Sequence, residues 1–200
     1  NALLFTIINC LLFITTTWFI NMACFSLSFV ALAVVLFYSY TKRFTALCHL
    51  VLGVGLSLSP IGAYLAVTGA FALLPLLFSF AVLTWVAGFD IIYALQDEEF
   101  DRSQNLYSIP VLLGTKNALY ASNFIHVCSA ILVIATGLYS HFNLIYWLGA
   151  IIFISMLIYQ HLLVKPNDLS KVNIAFMNTN SVASICYALC TILSLLIHIP

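Results

Sequence analysis

Carboxylates are the scarcest reactive groups in this chain, and they are not spread evenly. Five of the six acidic residues, Asp90, Asp97, Glu98, Glu99 and Asp101, fall within twelve positions. The surroundings are apolar: 64% of the 200 residues are hydrophobic and 6% are charged. Ionised carboxylates at the edge of such an environment are costly unless something offsets their charge. On a continuous helix turning about 100° per residue, Asp97 lies about 20° short of the direction of Asp90, and Asp101 about 20° past it. Three aspartates then share one stripe with Tyr93 beside it, while Glu99 falls opposite and Glu98 near the edge. A solvated helix end is the ordinary alternative. Two arguments oppose it: like charges on one stripe repel without a cation among them, and a helix C-terminus disfavours carboxylates. Hard carboxylate oxygens suit Mg²⁺, which commonly bridges to substrate phosphates.

The elements that must hold these residues are membrane helices. Mean hydropathy is +1.15, and apolar runs long enough to cross a bilayer recur at 2–20, 22–40, 45–67, 71–90, 117–139, 143–163 and 174–198. Backbone polar groups in lipid must be satisfied within the segment, so the fold class is all-α, a polytopic helix bundle. Lys42 and Arg43 follow the second run, Arg102 and Lys116 the fourth, and Lys165 and Lys171 the sixth. Seven alternating spans put every basic residue on one face, which the positive-inside tendency makes cytoplasmic. The acidic cluster is expected on that face too.

Other residues carry less. Six cysteines (Cys10, Cys24, Cys48, Cys128, Cys186 and Cys190) sit in apolar runs without a C-x-x-C pair and read as small buried hydrophobes. The five histidines lack metal-ligand spacing. A formal net charge of zero gives no case for nucleic-acid binding. Asn9, Asn123, Asn178 and Asn180 are expected to bond between helices, and the last two could meet an acceptor substrate. Pro60 and Pro75 are expected to bend their helices, and Gly53, Gly55 and Gly62 to allow close packing.

The pattern Asp90-x-x-Tyr93-Ala94-x-x-Asp97-x-x-x-Asp101 resembles the second aspartate-rich motif of the UbiA superfamily of intramembrane prenyltransferases. Leu106-Tyr107-Ser108-Ile109-Pro110 with Leu113-Gly114 is similar to the stretch that follows it in bacterial quinone-pathway members. Tyr38-x-x-x-Lys42-Arg43 resembles the family's basic loop. The resemblance implies about nine helices around a central cavity open to lipid, and Mg²⁺-dependent transfer of a polyprenyl group from polyprenyl diphosphate to an aromatic acceptor. Asp97 and Asp101 would be the principal Mg²⁺ ligands, with Asp90 supporting them. Arg43, with Lys42 beside it, would contact the diphosphate, and Arg102 and Tyr93 join the substrate-binding set. Phe80, Trp85 and Phe89 could line the path of an allylic cation, packing being their ordinary role. The implied acceptor is 4-hydroxybenzoate, with a naphthoate or futalosine-derived menaquinone precursor as the alternative, and the implied location is a bacterial inner membrane.

The family's first motif, of N-D-x-x-D-x-x-x-D type, does not occur among these residues, and the chain starts at Asn1-Ala2-Leu3-Leu4 without Met. A single domain over 1–200 lacking the first two helices, roughly 90 residues, is therefore expected. Asn105 stands where relatives often have Gly; Asn tolerates the left-handed region, so the turn can survive. A non-catalytic transport or binding protein is the rival of another class, but transporters spread their acids over several helices near the midplane. A retinal protein would need a Lys in the last helix, and none follows Lys171.

Overall fold

The computed structural model describes residues 2–197, all helices and short connections apart from one isolated bridge between Lys165 and Asp168. The spans are α1 (Ala2–Ile20), α2 (Met22–Thr41), α3 (Cys48–Thr68) and α4 (Leu73–Ala94). A 3₁₀ turn (Leu95–Asp97) and the short α5 (Glu98–Ser103) prolong α4, and α6 (Ile109–Tyr139), α7 (Leu144–Leu163) and α8 (Asn180–Leu196) follow. A π-helical turn, Ile174–Thr179, leads into α8. Among the described residues seven helices are long and apolar enough to cross a membrane, as the hydropathy reading expects. The last expected span reached position 198, whose end lies outside the described residues.

Segment ends are set by local chemistry. Asn21 caps α2 by accepting from the Cys24 N–H at 2.9 Å, while its own amide donates to the Leu65 carbonyl at 2.9 Å, fastening the α1–α2 turn to the end of α3. Asn143 caps α7 through the Ile145 N–H and donates to the Ile197 carbonyl. Pro75 stands in the first turn of α4, where a helix needs no N–H from it, so it does not bend α4 as expected. Pro60 lies inside α3.

The centre of the bundle is the antiparallel contact of α4 with α3 on one side and α6 on the other. A Cβ at Gly53 would stand 2.5 Å from the Leu83 carbonyl oxygen, so glycine permits the α3–α4 approach. Gly62 meets nothing within 4 Å and Gly55 only the Val35 side chain, so the close-packing role expected of all three belongs to Gly53 alone.

Against α6 the contact is small and polar. Ser122 donates to the Gly88 carbonyl (2.7 Å), His126 Nε2 meets the Trp85 carbonyl (3.2 Å), and Ser129 donates to the Ala81 carbonyl (3.0 Å). These three positions lie at i, i+4 and i+7 on one face of α6, where two serine hydroxyls and an imidazole bond across to α4. The apolar core follows the same axis. One cluster joins Ile91, Ile92 and Leu95 to Leu119 and Val172; another joins Ala81 and Val133 to Tyr146, Phe153 and Leu157.

Candidate functional site

The acids gather where α4 gives way to its extension. The α-helix does not run unbroken through them: it ends at Ala94, tightens into the 3₁₀ turn, and α5 begins at Glu98. The one-stripe geometry assumed a uniform 100° step, so the tighter turn redistributes the carboxylates. Each meets a different neighbour.

Asp101 is buried and accepts from Lys42 Nζ at 2.8 Å (Oδ2) and 3.2 Å (Oδ1). Burial alone would pull the Lys42 pKa down; the hydrogen bond and charge of Asp101 outweigh it, Asp97 and Cys48 adding their charge, and the net shift is upward. A lysine so placed keeps its ammonium form to higher pH than an ordinary lysine. Its contribution to stability is complete below the ordinary lysine value and is lost only as pH rises through the higher folded value.

Asp97 is half-buried and bonds to no other described side chain. Glu98, expected near the edge of the stripe, is a clasp: it accepts from Arg102 Nη2 at 2.8 Å and from Thr115 Oγ1 at 2.9 Å. Glu99 is exposed and bonds to no other described side chain.

Asp90 sits deeper, and its neighbour is a residue the sequence reading passed over. His49, fully buried in the first turn of α3, meets Asp90 Oδ2 through Nδ1 at 2.7 Å, while its Nε2 accepts from the Ile109 N–H at 3.3 Å. Accepting at Nε2 requires a lone pair there, so the ring carries its proton on Nδ1 and donates it to Asp90. One imidazole thus joins α3, α4 and the N-terminus of α6. The available signal was position: His49 opens a span at the membrane edge where the acids and basic residues lie.

The two loops at this edge are stitched together. The Tyr107 N–H donates to the Lys42 carbonyl at 2.6 Å, and Cys48 Sγ lies 3.7 Å from the Tyr107 carbonyl. The turn between them depends on Asn105, whose φ of 54° is left-handed, as its residue type suggested. Leu106 N–H bonds back to the Asp101 carbonyl (2.8 Å) and Asn105 N–H to that of Arg102 (3.3 Å), the paired bonds of a Schellman ending. Past Ser108, the buried N-cap of α6, Gly114 has φ 74° and ψ 160°, a conformation open essentially to glycine, and it breaks α6 after one turn. The segment after the motif is therefore built to return the chain against the basic loop.

Of the basic candidates, Lys42 reaches the aspartates. Arg43 is exposed and lies over the Tyr40 ring, 5.6 Å from its centroid, and Arg102 is spent on Glu98. Tyr93, partly exposed on α4, lies against Phe176 with centroids 4.2 Å apart. Phe176 also meets Phe89 (5.5 Å), Phe89 meets Trp85 (5.5 Å), and Trp85 meets Phe153 (5.5 Å), so an aromatic row descends from Tyr93 into the bundle. Phe80 is 53% exposed and lies outside that row. Trp85 Nε1 donates to Asn180 Oδ1 at 3.0 Å, which also accepts from Gln160 Nε2 at 2.5 Å; Asn180 is thus a helix–helix bond, whereas Asn178 is exposed. Asn9 bonds within its own helix.

Among the described residues no three His, Cys, Asp or Glu side chains surround a common point. That is compatible with Mg²⁺ in kind, because Mg²⁺ commonly takes only one or two carboxylates and completes its shell with water and phosphate oxygens. Asp97 offers free oxygens of that type; those of Asp101 face Lys42.

This arrangement has known counterparts. Residues 1–182 match the model of the UbiA prenyltransferase family. The 4-hydroxybenzoate octaprenyltransferase of Francisella tularensis subsp. novicida (strain U112) is 30% identical over 174 residues, 87% of this chain and 61% of that protein. That of Tolumonas auensis is 27% identical over 188 residues, 94% of this chain and 65% of the other. The chain therefore spans less than two thirds of the length of these relatives. A UbiA homolog from Aeropyrum pernix K1, solved in its apo form, superposes with a TM-score of 0.82 at 33% identity, over 91% of this chain and 68% of its own. A digeranylgeranylglyceryl phosphate synthase structure shares the fold, with a TM-score of 0.73 at 19% identity over 92% of this chain and 67% of that one. Acid-rich helix end, basic loop, helical architecture and family match agree, and the chain belongs to the UbiA prenyltransferase family.

Proposed function

We propose that the protein transfers a polyprenyl group from polyprenyl diphosphate to an aromatic acceptor, with 4-hydroxybenzoate as that acceptor, at the end of the bundle where the basic residues collect. The observation that carries the reading is the meeting of Lys42, Asp101 and Asp97 at the end of α4, beside a row of aromatic rings. Its relatives' names supply the substrate class.

Asp97 and Asp101 are the residues that would hold Mg²⁺, Asp90 supporting them through the fixed geometry His49 gives it. When bound, Mg²⁺ neutralises diphosphate oxygens and makes the group a better leaving group. Lys42 supplies an ammonium at the same edge, free to exchange an Asp101 oxygen for a phosphate oxygen in a charge-assisted bond. Arg43 is one residue away on an exposed stem and can swing from Tyr40 to a second phosphate oxygen. As the allylic C–O bond breaks, positive charge grows on the prenyl carbon. The electron-rich faces of Tyr93, Phe89 and Trp85 descend from that point and favour a cation over water. The acceptor ring then supplies the electron pair for the new C–C bond and loses a ring proton.

The test uses membranes carrying the full-length protein, given polyprenyl diphosphate and labelled 4-hydroxybenzoate. Prenylated product that disappears with EDTA and returns with Mg²⁺ supports the reading. Product formation indifferent to EDTA removes the metal role, and product only from a naphthoate acceptor replaces the substrate.

A further inference from the structure

A cleft between α6 and α7 shares no lining residue with that site. Its deeper part, about 430 Å³, is lined by apolar side chains such as Val127, Ile131, Ile154 and Ile158, of which Val127, Ile131 and Ile158 are at least half exposed. A second cavity of about 200 Å³ continues it toward the basic edge and shares Asn123 and His161 with it; Lys116 and Lys165 line this end.

Three features give the cleft a polarity. Lys116 and Lys165 form no ion pair with any described residue, and the nearby acid, Asp168, is engaged by the Ser170 hydroxyl and N–H. Asn123, about 10 Å further along α6 at 1.5 Å per residue, is exposed inside an apolar span, and its amide bonds to no described residue. His161 Nε2 lies 3.0 Å from His126 Nδ1, and His126 Nε2 meets the Trp85 carbonyl. That chain makes His161 the donor and fixes its ring as a wall of the cleft. From Asn123 to Ile134 the apolar stretch runs about 16 Å, close to half of a hydrocarbon core of about 30 Å.

The geometry points to a bound anionic phospholipid. Its phosphate lies between Lys116 and Lys165, a glycerol ester carbonyl accepts from the Asn123 amide, and one acyl chain fills the apolar cleft for the depth of a single leaflet. Two ammonium groups at a membrane edge select the anionic headgroup. The unpartnered Asn123 amide and the leaflet-length groove select a diacyl lipid over a free anion.

Native mass spectrometry of the purified full-length protein tests this with phosphatidylglycerol and phosphatidylcholine of identical acyl chains. One phosphatidylglycerol should bind with a preference of about tenfold or more over phosphatidylcholine, given the pull of two surface lysines. Lys116→Gln with Lys165→Gln should bring the two lipids to parity, while Lys171→Gln leaves the preference intact. Ile131→Trp, a lipid-facing change that fills the groove, should reduce retention of both lipids. Equal binding by the unaltered protein overturns the proposal, as does a preference that survives loss of both lysines. Displacement of phosphatidylglycerol by inorganic phosphate would make this an anion site, and displacement by geranyl diphosphate a substrate site; either also overturns it.

Discussion

Neighbouring acids in this protein do unlike things because their partners differ. Asp101 is neutralised by Lys42, Asp90 is oriented by His49, Glu98 clasps Arg102 and Thr115, and Asp97 and Glu99 bond to no other described side chain. Asp97→Ala and Asp101→Ala should each abolish prenyl transfer by the full-length protein, whereas Glu99→Ala should keep near-normal turnover. Equal loss at all three in a product assay would show that bulk negative charge matters, not position. Lys42 and Arg43 separate in the same way. Lys42→Gln strips a buried carboxylate of its ion pair and should cost about 3 kcal/mol of stability as well as activity. Arg43→Ala should leave stability within about 0.5 kcal/mol and raise the KM for polyprenyl diphosphate. An unchanged KM would remove Arg43 from the site. His49→Phe keeps the volume but removes the donor to Asp90, and should lower stability by about 2 kcal/mol together with kcat, read by thermal unfolding and turnover.

At the scale of elements, the α4–α6 contact depends on one glycine. A Cβ at Gly88 would overlap the His126 ring, so Gly88→Ala should destabilise the bundle by about 1–3 kcal/mol. Adding His126→Ala should recover part of that loss, an interaction a double-mutant cycle would measure. The α7–α8 connection gives a pH-dependent example. The Ser170 hydroxyl and N–H, then Lys171 and Lys165, hold the Asp168 carboxyl below its ordinary value of 3.8. The turn's contribution is therefore present above that value and lost as pH falls through the lower folded one. Titration of the Asp168 carboxyl by NMR should give a midpoint below 3.8, moving up in Ser170→Ala. Much of this level was legible beforehand: the spans match the hydropathy runs, and Asn105 takes its left-handed conformation. The break at Gly114 was not, because glycine in an apolar helical run leaves a pattern scan unchanged whether or not its φ is positive.

For the whole molecule, all six basic residues lie at one end of the spans, Lys42, Arg43, Lys165 and Lys171 in connections, Arg102 in α5 and Lys116 near the start of α6, and the connections at Asn21, Gly69 and Ser140 hold none. Positive-inside bias then predicts one orientation. Single cysteines introduced at Gly69 and at Ser140, in an otherwise cysteine-free background, should react with an impermeant maleimide added outside intact cells. Cysteines at Gln104 and Ser170 should react only after permeabilisation. The reverse pattern would move the acid-rich edge to the other side of the membrane.

Hydropathy determined the all-α membrane class and the seven spans, and charge asymmetry with the spacing of aspartates singled out the candidate site. Those properties are local, and a bilayer enforces them segment by segment. Pairing was decided only in three dimensions. Lys42 and Asp101 are 59 positions apart in the chain, His49 and Asp90 are 41 apart, and His126 and His161 are 35 apart. Each pair is made by the lateral packing of helices, which depends on small residues such as Gly53 and Gly88 permitting a close approach. A span's hydropathy is nearly indifferent to which neighbour it meets, so the partners of the acids had to come from the tertiary structure.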